Sequence, residues 1–140
     1  MMLERTLAYI ELGWSVFPLI PNSKKPLTTN GFKDATKSVY VARKWWTENP
    51  NANIGIATGL ASGLAVVDVD VKNGAKGRES LASIKGMSPT LTARTPSGGW
   101  HLYYVVPDDG LRCRNGLLPG VDIKADGGYV VAPGSVIDGK

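Results

Sequence analysis

The sequence predicts an α+β protein, a mixed and largely antiparallel sheet with helices packed on it. Three observations carry this expectation. Short β-forming runs recur from residue 53 onward, at 53–59, 63–71, 90–95, 102–106, 121–124 and 129–132, set apart by Gly, Pro and Asp. Helical spacing is confined to residues 3–12, 38–48 and 77–85. A hairpin signal, Asp126-Gly-Gly128, separates the last two runs.

Taken in order, Leu3, Leu7 and Ile10 repeat at helical spacing, and Gly13 is a natural stop. Trp14–Ile20 reads as a short strand, and Pro18 places it at an edge or a bulge. Pro21-Asn-Ser-Lys-Lys-Pro26 is a loop with two lysines, able to touch a phosphate but read in preference as a solvated turn. Ser38 caps a helix that runs to Glu48 and ends at Asn49-Pro50, with Trp45 and Trp46 as core and rim packing rather than a base-stacking platform. Asn53–Gly59 is a strand entering a glycine turn, without the Gly-Lys-Ser/Thr ending of a P-loop. Residues 77–85 form a short helix with Leu81 and Ile84 inward and Gly86 at its end; residues 107–120 form a loop rich in Gly, Pro and Asp.

The chain is organised around Gly63–Val71. Val66 and Val67 make it a buried strand, and Asp68 and Asp70 then project from one face, about 6–7 Å apart along the strand. Like charges held that close repel, and a divalent cation relieves the repulsion. The plain alternative is that the acids only begin the turn at Lys72-Asn-Gly74. The only histidine, His101, opens a strand directly after Ser97-Gly-Gly-Trp, whose backbone N–H groups can face an anion. In Val121-Asp-Ile-Lys124 the acid and the lysine share a face. Three acids and one histidine on neighbouring strands make a site for two divalent ions clamping a phosphate.

At 140 residues the chain is long enough for one domain with a core of its own, and 43% hydrophobic with 20% charged residues is ordinary for a globular protein. No apolar run reaches the roughly 20 residues of a membrane span, and no signal-peptide core follows Met1–Arg5, so no membrane partner and a cytoplasmic location are expected. One Cys and one His exclude both an internal disulfide and a closed zinc site. Net charge is +4, and residues 72–94 carry five Lys/Arg against Glu79 alone. Setting Asp68, Asp70 and Asp122 aside leaves 16 basic residues against nine acids, a basic body around an acidic pocket that suits a polyanion.

The series Asp68-Val-Asp70, Ser97-Gly-Gly-Trp-His101 and Val121-Asp-Ile-Lys124 resembles the three motifs of archaeo-eukaryotic-type primases. More narrowly, it is similar to the bifunctional primase–polymerase (prim-pol) N-terminal domain of plasmid, phage and mobile-element replication proteins. Gly13–Pro18, Lys24-Lys-Pro26, Asp34-Ala-Thr36, Trp45-Trp46, Asn53–Gly59 and Ala132-Pro-Gly-Ser135 agree as well, so the resemblance covers residues 5–139. It implies an N-terminal α/β unit joined to a unit like an RNA-recognition motif, and template-directed nucleotidyl transfer from nucleoside triphosphates. By the same resemblance Asp68, Asp70 and Asp122 bind catalytic Mg²⁺ or Mn²⁺, His101 and Lys124 contact the incoming nucleotide, and Ser97 and Gly98 line its triphosphate. Single-stranded DNA template and primer are the implied partners, with a helicase fused or in trans. Asp70 stands where many members have Glu, and a zinc-binding stem is absent. The chain ends soon after Ser135, so residues 1–140 are expected to be one catalytic domain of a longer replication protein, one that need not prime alone.

Two other classes remain open. A non-catalytic nucleotide or single-strand binding module predicts salt-sensitive binding indifferent to metal and to the acids. A two-metal nuclease uses the same ligands, but no second histidine or other evident base is present.

Overall fold

The structure, a computed structural model, describes residues 1–107 and 109–140. The N-terminal helix α1 (Met2–Glu11) ends where Gly13 takes φ +91 and donates its N–H to the Ile10 carbonyl, 2.8 Å away. That backbone conformation is open to glycine at little cost, so the stop lies where the sequence puts it. Strand β1 (Val16–Leu19) is an edge strand, as Pro18 requires. Helix α2 (Val39–Glu48) is capped by Ser38, whose Oγ accepts from the Val41 N–H at 3.3 Å. Trp46 is buried with its indole N–H donating to the Ala52 carbonyl, and Trp45 packs at the rim of the same core.

Seven more strands and one helix follow. They are β2 (Asn53–Ala57), β3 (Leu64–Val69), α3 (Gly77–Ser83), β4 (Leu91–Arg94), β5 (Trp100–Val105), β6 (Arg114–Leu118), β7 (Val121–Lys124) and β8 (Tyr129–Val131). They do not form the one mixed sheet expected. Two sheets are present, ordered β1-β2-β8 and β4-β5-β3-β7-β6, and every pairing between these strands is antiparallel.

Asp126 explains the division. One carboxylate oxygen accepts from the Leu60 N–H at 2.7 Å, the other from the Leu111 N–H at 3.3 Å. Asp126 packs so closely on Gly59 that a side chain there would collide with it. The turn after β7 is thereby tied to the turn after β2, and β8 is delivered to β2 rather than folded back on β7. The expected hairpin at Asp126-Gly-Gly128 is therefore a crossover between sheets. Nor is 107–120 all loop: it contains β6, and the hairpin lies at Pro119-Gly120, where Gly120 has φ +75. Helix α3 stops at Ser83, and Leu81 and Ile84 are only half-buried at the side of an open groove.

The main core lies between the two sheets and under α1 and α2, built from Val16, Trp46, Ile54, Ile56, Val66 and Val130 among others. Tyr9, Trp14 and Tyr103 stack along its side with ring centroids 5.6 Å apart at each step. Tyr103 is buried, and among the described residues its hydroxyl has no hydrogen-bond partner. Burial, with Tyr9 beside it, pushes the phenol well above its ordinary range. A buried hydroxyl without a partner costs about 1–3 kcal/mol. Tyr103→Phe keeps the stack and removes that cost, so thermal unfolding should shift upward by a few degrees, on the order of 3 °C. A lowered Tm would show that the hydroxyl is satisfied in solution.

Candidate active site

Strand β3 is the centre of the five-stranded sheet, and its register decides what meets there. Asp68 lies directly opposite His101 of β5 on one side and Asp122 of β7 on the other. Directly opposed residues of antiparallel strands share a face, so the three stand in one row across three strands. His101 Nε2 is 3.3 Å from Asp68 Oδ1. Lys124 lies opposite Val66, one step along the same face.

Asp70 reaches the site differently. β3 ends at Val69, so Asp70 is off the strand rather than its second same-face acid. Its backbone is clasped: its N–H donates to the Gly120 carbonyl at 2.7 Å, and its carbonyl accepts from the Gly77 N–H at 3.0 Å. A Cβ on either glycine would strike the backbone of the other residues in this clasp. Its Oδ1 accepts from the Lys72 N–H at 3.0 Å. Nothing in the local sequence marks Gly77 or Gly120 as partners of an acid more than five residues away from each.

The loop before β5 closes on itself. Gly98 N–H donates to the Thr95 carbonyl at 2.9 Å and Gly99 N–H to Thr95 Oγ1 at 3.0 Å. The Gly98 and Gly99 amides expected to face an anion are thus spent inside the turn. Ser97 and Gly98 nonetheless line a cavity of about 510 Å³ together with Asp68, Asp70 and His101. Its opposite wall comes from the other sheet's side of the molecule, from Lys24 and Ala132–Ser135. A volume of a few hundred Å³ suits a small-molecule ligand. Asp122 and Lys124 share the sheet face but lie outside the cavity wall, and Asp122 Oδ1 accepts from the Gly116 N–H at 2.7 Å.

Lys24, read from sequence as a solvated turn residue, stands on this wall. Its loop is held there at distance in the chain: Asn53 Nδ2 donates to the Ser23 carbonyl at 3.0 Å, and the Tyr129 hydroxyl donates to the Lys24 carbonyl at 2.8 Å.

Partial burial pushes the Asp68 carboxyl up, but the His101 hydrogen bond and charge, with Lys124 and Lys24, outweigh it and hold the pKa below the usual carboxylate value. A group depressed on folding stabilises the native state above its unfolded pKa, about 3.9, and that contribution is lost as pH falls through the folded value. The Tm advantage of the protein over Asp68→Asn, present at neutral pH, should therefore shrink below about pH 4 and vanish at still lower pH. Melting curves from acid to neutral pH measure it; a difference unchanged by acid would contradict the assignment.

Among the described residues, no three His, Cys, Asp or Glu side chains converge as a ready-made metal cluster. The donors nonetheless have the right chemistry. Carboxylate oxygens suit hard divalent cations, and Asp70 and Asp122 each leave one oxygen unengaged by the backbone bonds above.

Residues 6–140 match the family described as bifunctional DNA primase/polymerase, N-terminal. The chain belongs to this family. Among curated proteins, none matches it significantly. Members of the primase/polymerase family are nucleotidyltransferases that act on nucleotides and DNA and typically use divalent metals. Among the described residues no helix is long and apolar enough to cross a membrane.

Proposed function

We propose that this chain is a primase–polymerase catalytic core that adds (d)NTPs to a primer in a template-directed, metal-dependent reaction. The observation that carries the reading is the row His101–Asp68–Asp122 across β5, β3 and β7, with Asp68, Asp70 and Lys24 lining one cavity. Asp68, Asp70 and Asp122 would hold Mg²⁺ or Mn²⁺. When bound, the ions supply activation of the primer 3′-hydroxyl and charge neutralisation at the triphosphate. The His101 ring, held beside Asp68 through Nε2, would contact a phosphate oxygen of the incoming nucleotide. Ser97 and Gly98 border the triphosphate, and Lys24 and Lys124 offset its charge from either side of Asp68.

The order β4-β5-β3-β7, with α3 directly after β3, is that of a split β-α-β unit in which β6 replaces the second helix. This supports reading residues 64–124 as the unit like an RNA-recognition motif and the remainder as the α/β unit, together one catalytic domain of a cytoplasmic replication protein. Plasmid, phage or mobile-element replication, with a helicase as partner, is the setting that the motifs suggest.

A second reading, a nucleotide or single-strand binding module without catalysis, draws on one observation: Asp122 is engaged by Gly116 and lies outside the cavity wall. Extension of a labelled primer on a DNA template with Mn²⁺ separates the two. Nucleotide-dependent lengthening that a chelator stops supports the core; metal-indifferent strand binding without lengthening, in a longer chain as well as this one, supports the module.

A further inference from the structure

Trp100 is next to His101 in β5, so its side chain belongs to the opposite face of the sheet. There the Arg78 guanidinium carbon lies 5.1 Å from the indole centroid and that of Arg94 lies 6.0 Å away. Both arginines are exposed and Trp100 is half-buried, unlike Trp46, which is sealed in the core. At these distances the guanidiniums are within cation–π reach of the ring, about 6 Å, while the indole keeps part of its surface exposed. We propose that this face is a docking site for single-stranded nucleic acid, with Trp100 as the stacking platform and Arg78 and Arg94 as its phosphate and base-plane contacts.

The surrounding charge favours this occupant. Lys72, Lys76, Arg78, Lys85 and Arg94 are all exposed, against Glu79 alone in that stretch. Lys72 and Arg94 also line the cavity that holds Asp68 and Asp70. A strand stacked on Trp100 therefore has a basic path round the end of the sheet to the proposed catalytic acids. An aromatic face with flanking guanidiniums recognises any base by its π-surface, without reading sequence. This fits a template held by its backbone while pairing supplies the information. The inference rests on the preceding reading only in taking nucleic-acid strands as the chain's substrates.

The test is fluorescence anisotropy of a labelled oligo-dT with the whole chain, at several salt concentrations, for Trp100→Ala, Trp100→Phe and Arg78→Ala. Nucleotide binding with Mn²⁺ is measured in parallel. Trp100→Ala and Arg78→Ala should each weaken oligo-dT binding about tenfold, with Trp100→Phe retaining most of it. Arg78→Ala should also lower the salt slope by roughly 0.7. Arg78 is exposed on α3, so its variant remains informative if Trp100→Ala fails to fold. Unchanged oligo-dT affinity in Arg78→Ala, or in folded Trp100→Ala, would overturn the proposal. So would a wild-type chain that binds nucleotide but no strand, or one that binds an acidic polypeptide through Arg78 and no oligo-dT. Strand binding lost in the variants, without any nucleotide binding in the wild type, would uphold the dock and instead remove the polymerase reading.

Discussion

Asp68→Asn is expected to reduce metal-dependent nucleotide incorporation by about a thousandfold, roughly 4 kcal/mol of lost transition-state stabilisation. The substitution is nearly isosteric, so the β3 register with β5 and β7 has no reason to change. What it removes is the central negative charge, the one on which His101, Lys124 and Lys24 all act. Charge is what a hard cation selects, and a neutral amide oxygen binds it far less well. Primer extension with Mn²⁺ measures the effect, and a melting curve checks that the variant folds. Retention of more than about a tenth of wild-type activity would remove Asp68 from the catalytic role.

Asn53→Leu is expected to cost about 2–4 kcal/mol of stability, a fall in Tm on the order of 10 °C. Asn53 is 1% exposed, at the first position of β2. Its amide donates to the Ser23 and Val136 carbonyls at 3.0 and 2.8 Å, and its Oδ1 accepts from the Val136 N–H at 2.9 Å. Leucine fills the volume but leaves all three backbone groups to find other partners. Because Ser23 adjoins Lys24 and Val136 adjoins Ser135, the same side chain joins two segments of the cavity wall. Nucleotide affinity should therefore fall along with stability, even in variant protein held well below its Tm. A Tm within about 2 °C of wild type would show that the three bonds are replaced by water at no net cost.

These two residues mark what the sequence makes legible. Asp68 stands out because two acids after a run of valines conflict with a buried strand. His101 and Asp122 are legible from their places on β-forming runs, and the register sets both beside Asp68. The helices are legible for local reasons: Gly13 and Ser38 terminate them with their own backbone and side chain. What escapes is long-range. Asn53 reads as an ordinary strand residue until Ser23 and Val136, 30 and 83 positions away, are brought to it. The split into two sheets depends on Asp126 reaching Leu60 and Leu111, and so the hairpin signal at Asp126-Gly-Gly128 points to the wrong partner strand. β6 escapes because Arg114-Asn-Gly-Leu-Leu118 has the composition of a turn and is made a strand by pairing with β7. Lys24 and the Gly77–Gly120 clasp of Asp70 are of the same kind: each is ordinary in its local sequence and has its neighbour supplied by the fold.

The proposed nucleotide site at Asp68 depends on a divalent metal, and calorimetric titration reads that dependence. A nucleoside triphosphate is titrated into the chain with Mn²⁺ and again after chelation. Saturable binding is expected with Mn²⁺ and none with chelator. Equal binding with and without the metal, or none in either case alongside tight binding of single strands, would contradict it.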